Sequence, residues 1–382
     1  MVYLDHAATT PMHPAVIRAM NDTMTTFFGN PSSIHRYGRD AHTKLEEARQ
    51  VIADQLGVKA HEIIFNSGGT ESDNTAILGT AYAKQAVGKH IITTTIEHPA
   101  VIESMKFLEK QGFEITYLPV DKKGQLLAEQ VAAALRPDTI LVSIMFANNE
   151  TGNILPIQEI GELLKEHAAV FHTDAVQAYG KLPIDPAAYG IDLLSISAHK
   201  INGPKGVGFL YKRDGLSLPT LLHGGEQEEK RRAGTENLAG IVGMAKAVSL
   251  LTPEVQRAHS ETYQQFAKQV FSVLEEQRVD YRLNGDPDSK LPHIINLQFP
   301  GVTSELLLMK LDLKGIAIST GSACTAGNVE PSHVLEAMYG KEHPAVGESV
   351  RISFGLGNTE EEVHSFAELL ARTVLGTKKY YP

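Results

Sequence analysis

Between residues 62 and 211 the chain alternates, almost without interruption, between short apolar β-branched runs and longer stretches of helical period. Residues 62–66, 90–96, 114–118, 139–146, 170–173, 192–197 and 207–211 read as strands, and 71–84, 100–111, 126–135 and 157–167 as helices between them. Strands that are apolar on both faces must be covered on both faces. The pattern therefore predicts an α/β fold with a mostly parallel central sheet enclosed by helices. Two helices precede it, at 14–26 and 38–57, the second with Leu45, Ala48, Val51, Ile52 and Leu56 on one face.

The texture changes near residue 250. A helix from Leu238 to about residue 251 is broken by Pro253 and followed by another to about residue 277. Strands at 282–283, 293–299, 316–319 and 350–354 then mix with helices at 304–313 and 360–374. We expect an N-terminal arm at 1–12, a large domain at 13–250 and a smaller α+β domain at 251–382. A length of 382 residues accommodates two domains.

Charge and cysteine usage exclude several functions. A net charge of −10 argues against binding nucleic acid or a membrane surface by bulk electrostatics. The basic run Lys230-Arg231-Arg232 follows Glu226, Glu228 and Glu229 and reads as a solvated mixed-charge loop. No apolar run is long enough to span a membrane, and Met1-Val2-Tyr3-Leu4-Asp5 is no signal peptide, so a cytoplasmic location is expected. With Cys324 the only cysteine and no His-Glu-x-x-His pattern, neither a disulfide nor a metal site is expected.

Ligands of parallel sheets sit beyond the carboxyl ends of the strands, so the polar residues there carry the chemistry. After 62–66 comes Asn66-Ser67-Gly68-Gly69-Thr70-Glu71, a glycine turn opening a helix, whose bare amides suit a phosphate. After 90–96 comes Glu97-His98-Pro99; after 139–146, Asn148 and Asn149; after 170–173, Asp174 and Gln177. The strand 192–197 ends in Ser197-Ala198-His199-Lys200, placing an amine beside apolar surroundings that lower its pKa. A phosphate cradle, an imidazole, an aspartate and a lysine together suit pyridoxal 5'-phosphate. Lys200 would join the cofactor covalently, Asp174 would keep the ring nitrogen protonated, and His98 would face the ring. Ser197 and His199 are placed to donate to its phosphate. Gly203-Pro204-Lys205-Gly206-Val207-Gly208 lacks the strand–glycine–helix order of a dinucleotide loop and reads as a turn. Cys324 sits among small polar residues, 319–328, in a setting unlike that of a buried structural cysteine.

In ten ordered stretches the chain resembles the cysteine desulfurases of the NifS/IscS type, within the class-V aminotransferase group of fold-type-I pyridoxal phosphate enzymes. They include Tyr3-Leu4-Asp5-His6-Ala7-Ala8-Thr9-Thr10, Gly68-Gly69-Thr70-Glu71-Ser72, Asn148-Asn149-Glu150-Thr151-Gly152, His172-Thr173-Asp174-Ala175-Val176-Gln177, Ser197-Ala198-His199-Lys200 and Gly321-Ser322-Ala323-Cys324. The resemblance implies that Lys200 anchors the cofactor, Asp174 pairs with its ring nitrogen, and Gln177 contacts its ring oxygen. His98 stacks on the ring and moves protons. Gly69, Thr70, Ser197 and His199 hold the phosphate. Thr235 reaches it from the partner subunit of a homodimer. Asn149, counted with both cofactor and substrate, and Arg351 hold the substrate carboxylate.

Cys324 would take sulfur from L-cysteine as a persulfide, leaving L-alanine, and pass it to an iron–sulfur scaffold or a tRNA-thiolation enzyme. Any ligation of an iron–sulfur cluster by Cys324 would be transient. Alternatives are a selenocysteine lyase, a class-V transaminase or lyase in which Cys324 is idle, and a non-catalytic adaptor.

Overall fold

The computed structural model describes residues 1–321 and 331–378. The arm forms strand β1 (Val2–Tyr3). Helices α1 (Pro14–Thr26) and α2 (Arg36–Leu56) lead to a seven-stranded sheet. Its strands are β2 (Ile63–Asn66), β3 (His90–Thr94), β4 (Glu114–Leu118), β5 (Thr139–Ser143), β6 (Val170–Asp174), β7 (Leu193–Ser197) and β8 (Gly208–Lys212), in the order β2-β8-β7-β6-β5-β3-β4. The expected α/β architecture is borne out.

Strands β3 to β7 pair in parallel, while β8 pairs antiparallel with β7 and β2. The reason is the connection. The turn that includes Gly203 and Gly206 is too short for a helical crossover and returns the chain as a reversed neighbour. Alternate residues enter opposite cores: Leu194 and Phe209 pack on one face with α2, and Leu193 and Leu210 on the other with α3 (Gly69–Lys84) and α4 (Pro99–Glu109).

A separate cluster, with Val270, Phe299, Phe354 and Phe366, lies beneath an antiparallel sheet of β9 (Arg282–Asn284), β10 (Ile294–Gln298) and β12 (Ser349–Ser353). The arm belongs to it as well. β1 pairs with β11 (Ile316–Ala317), and Leu4 is buried in the cluster. The helix His333–Tyr339, which the sequence pattern did not reveal, instead packs Val334, Leu335 and Met338 into the core of the large sheet.

Two expectations need correction. Val51, placed on the apolar face of α2, is 37% exposed and lies at the margin of that stripe. The charged loop before Arg232 is not simply solvated. Glu228 is buried and accepts from Arg49 Nη1 and Nη2, both at 2.8 Å, and from Phe65 N at 2.9 Å. That three-donor socket holds Glu228, Glu229 and Lys230 at positive φ, which non-glycine residues adopt at a cost. Among the described residues no single helix is long and apolar enough to cross a membrane.

Candidate active site

The carboxyl ends of β2, β3, β5, β6 and β7 deliver their polar residues to one side of the sheet. After β2, Asn66 Oδ1 accepts from Gly68 N at 3.0 Å and Glu71 Oε2 from Ser67 N at 2.9 Å, shaping the turn into α3. Gly68 has φ 139°, and a Cβ on Gly69 would lie 2.9 Å from Val176 Cγ2. The amides of the first turn of α3 have no intrahelical acceptors and face a cavity of about 420 Å³. Gly68, Gly69, Thr70, Ser197, His199 and Lys205 line it. A glycine turn, a helix start, a hydroxyl and a lysine make a cradle for a phosphate.

His98 is the N-cap of α4, and its Nδ1 accepts from Ala100 N at 3.1 Å. That bond fixes Nδ1 as an acceptor and leaves Nε2 carrying the proton of the neutral ring. Burial pushes its pKa down, helped by Lys200 and His333 and opposed by Asp174. Asp174, at the end of β6, accepts from Val176 N at 2.9 Å. Burial raises its pKa, while His98, the Val176 amide and Lys200 pull it back.

Lys200 follows β7 on a 3-10 turn and donates to Ala7 O at 2.5 Å and Ala8 O at 2.8 Å. Burial, then the Arg351 charge, brings its pKa down to about 7, against the pull of Asp5 and Asp174. Gln177 Nε2 donates to the same Ala7 carbonyl at 3.0 Å, so lysine and glutamine both rest against the arm. His199 Nδ1 lies 3.1 Å from Thr9 Oγ1; burial lowers its pKa to about 4, aided by Lys200 and Lys205.

The expected substrate residues are also near. Arg351 on β12 is 3% exposed; its Nη1 donates to Asn149 O at 2.8 Å and Nη2 to Asp5 Oδ1 at 2.8 Å. Its Nε has no partner among the described residues. Asp5 was not foreseen as a partner of Arg351, although it lies within the arm motif. Thr235 is exposed and does not line this chain's cavity. Cys324 lies outside the described residues.

Two buried acids were also missed as site residues, Asp73 on α3 and Glu97 after β3. Asp73, His98 and Asp174 bring one ligand atom each within 4.8 Å of one another. A larger hollow, about 770 Å³, lies at the opposite ends of the strands. Its charged groups are engaged, Lys59 with Asp214, Lys165 with Glu162 and Arg213 with Asp192. The expected phosphate-binding residues line the smaller cavity instead.

Residues 2–366 match the family described as aminotransferase class-V. The chain belongs to the class-V aminotransferase family. A relative from Bacillus subtilis, a putative cysteine desulfurase IscS 1, is 55% identical over 98% of each chain. A solved NifS-like protein superposes with a TM-score of 0.91 at 36% identity, covering 98% of this chain and 99% of the other. The solved structure of SspA in complex with cysteine matches with a TM-score of 0.82 at 37% identity, over 93% and 99%. The resemblance drawn from the motifs is borne out.

Class-V aminotransferases work with pyridoxal 5'-phosphate, and the residues here fit that group. The glycine turn is packed so that only glycine leaves room at its phosphate end. The buried Asp174 is an acid of the kind that a protonated ring nitrogen would need as its counter-charge.

Proposed function

We propose that the chain is a pyridoxal 5'-phosphate-dependent cysteine desulfurase, converting L-cysteine to L-alanine with transfer of the sulfur to Cys324 as a persulfide. The observation that carries this reading is the grouping of Lys200, Asp174 and His98, whose charges act on one another, with a cavity lined by the Gly69–Thr70 turn, Ser197 and His199, in a chain whose relatives bear that name. When bound, the cofactor supplies an aldehyde carbon and an electron-withdrawing ring.

The chain's own residues do the rest. Lys200, with its pKa near 7, offers a neutral amine to form the covalent anchor. Asp174 holds the proton on the ring nitrogen, Gln177 turns its amide to the ring oxygen, and Gly69, Thr70, Ser197 and His199 clamp the phosphate. His98 faces the ring and exchanges protons through Nε2. Asn149 and the unpartnered edge of Arg351 take the substrate carboxylate. The Cys324 thiolate accepts the sulfur; the thiol proton and the substrate's hydrogens are conserved in alanine and the persulfide, so no external oxidant is needed.

The reading includes a homodimer in which Thr235 completes the partner's phosphate site. It also includes a cytoplasmic location and delivery to an iron–sulfur scaffold or a tRNA-thiolation enzyme. The division into an arm at 1–12, a large domain at 13–250 and a smaller one at 251–382 is part of it, supported by the separate clusters around Phe209 and Phe354. Mass spectrometry of the protein after exposure to L-cysteine tests the proposal. One added sulfur on Cys324, absent in Cys324→Ala together with alanine release, is expected. Undiminished alanine release by Cys324→Ala would refute it, and a strong preference for selenocysteine would favour the lyase.

A further inference from the structure

Three buried acids lie near the carboxyl end of β6 with little to neutralise them. Asp174, Glu97 and Asp73 are at most 6% exposed. Glu97 Oε1 accepts from Thr94 Oγ1 at 2.7 Å and Met145 N at 3.0 Å, and Asp174 accepts from Val176 N. Asp73 is different. Its carboxyl is 3.6 Å from His172 Nε2, but neither of its oxygens has a hydrogen-bond partner among the described residues. The Ser195 hydroxyl beside it lies 3.0 Å from His172 Nε2, and the Ser143 hydroxyl lies 2.8 Å from His172 Nδ1.

The surrounding charges decide which acid ionises. His172 is buried and held neutral, its pKa lowered to about 3. The cations facing the group are Lys200 and the protonated form of His98, and both act on Asp174. An ionised Asp73 would stand unpaired in the buried interior, a cost that a buried acid avoids by keeping its proton. Burial, the Asp174 charge and Glu97 all push the Asp73 pKa up, with Ser195 alone opposing.

We propose that Asp73 is a positioning residue for the proposed chemistry: a neutral carboxylic acid that faces Asp174 and leaves Asp174, of the two, the anion. Its carboxyl lies within 4.8 Å of the facing Asp174 and His98 atoms, and the proton it keeps spares Asp174 a second charge beside it. Two like acids placed together share one negative charge, which fixes the ionisation without a counter-cation.

The inference rests on the reading of Asp174 as the ring-nitrogen partner, but its proton can be measured without the cofactor. In the full chain free of cofactor, unfolding is followed across about pH 5 to 8. A native acid that stays protonated releases its proton on unfolding, so it raises the unfolding equilibrium constant about tenfold per pH unit, and Asp73→Asn is expected to remove that rise. The infrared band of a protonated buried carboxyl should weaken in the same variant. In the holoenzyme, Asp73→Asn keeps a donor and should preserve the pH titration of the cofactor absorbance, whereas Asp73→Leu should displace it. An unchanged pH slope in Asp73→Asn, or identical cofactor titrations for Asn and Leu, would overturn the proposal. A wild-type protein with no cofactor absorbance at all would instead refute the functional reading and leave the proton measurement standing.

Discussion

At the scale of single residues, the most informative group is the Lys200 amine. An ordinary lysine is neutral at pH 7 in roughly one molecule in a few thousand. Lys200, with its pKa brought to about 7 by burial, is neutral in about half of them. Cofactor attachment should therefore accelerate as pH rises through about 7 and level off above it. The stability sign agrees: the native chain holds fewer protons here than the unfolded chain above pH 7, so this lysine's penalty shrinks as pH rises toward its unfolded value. Asp5, 2.8 Å from Arg351, is one of the groups that raise the Lys200 pKa. Asp5→Asn is thus expected to move the midpoint of cofactor attachment to lower pH, read by following absorbance after mixing with pyridoxal 5'-phosphate. A midpoint that stays put or rises would show that the arm carboxylate does not act on this amine.

At the scale of elements, the site depends on how closely β7, β8 and the turn before α3 approach. A Cβ at Gly208 would lie 2.3 Å from Ile196 O and 2.6 Å from Gly68 Cα, backbone on both sides. Gly208→Ala must therefore push β8 away from the phosphate turn. We expect a loss of about 1–3 kcal/mol in denaturant unfolding and weaker binding of pyridoxal 5'-phosphate. Unaltered cofactor affinity at reduced stability would separate the turn from the strand.

Most of this scaffold was legible in the sequence because both-face-buried strands read as continuous apolar runs and their carboxyl ends carry the polar residues. The reversed direction of β8 was not, since a strand's polarity depends on the length of its connection and not on its composition. Asp73 was invisible for a related reason. An acid in the first turns of a helix reads as a solvated complement to the helix dipole, and only the packing of α3 against β6 and β7 buries it. Glu228 was misread in the same way, its burial being set by Arg49, 179 residues away in the chain.

At the scale of the whole molecule, the arm is what joins the two cores to the lysine. Leu4 is fully buried in the smaller cluster, and Ala7 N donates to Ser353 Oγ on β12 at 2.8 Å. A few residues on, the Ala7 and Ala8 carbonyls receive Lys200, and Thr10 Oγ1 donates to His199 O at 2.7 Å. Because the arm is one covalent strand, loosening its anchor in the small core should be felt at the amine in the large one. Leu4→Ala is expected to cost about 2–5 kcal/mol in unfolding and also to shift the pH midpoint of cofactor attachment at Lys200. Leu297→Ala is the control, because Leu297 is equally buried in the same cluster but lies on β10 and not on the arm. It should lose comparable stability while the Lys200 midpoint stays where it was. If both variants shift the midpoint alike, the coupling runs through the small core as a whole. If neither does, the arm carbonyls hold the lysine without help from Leu4.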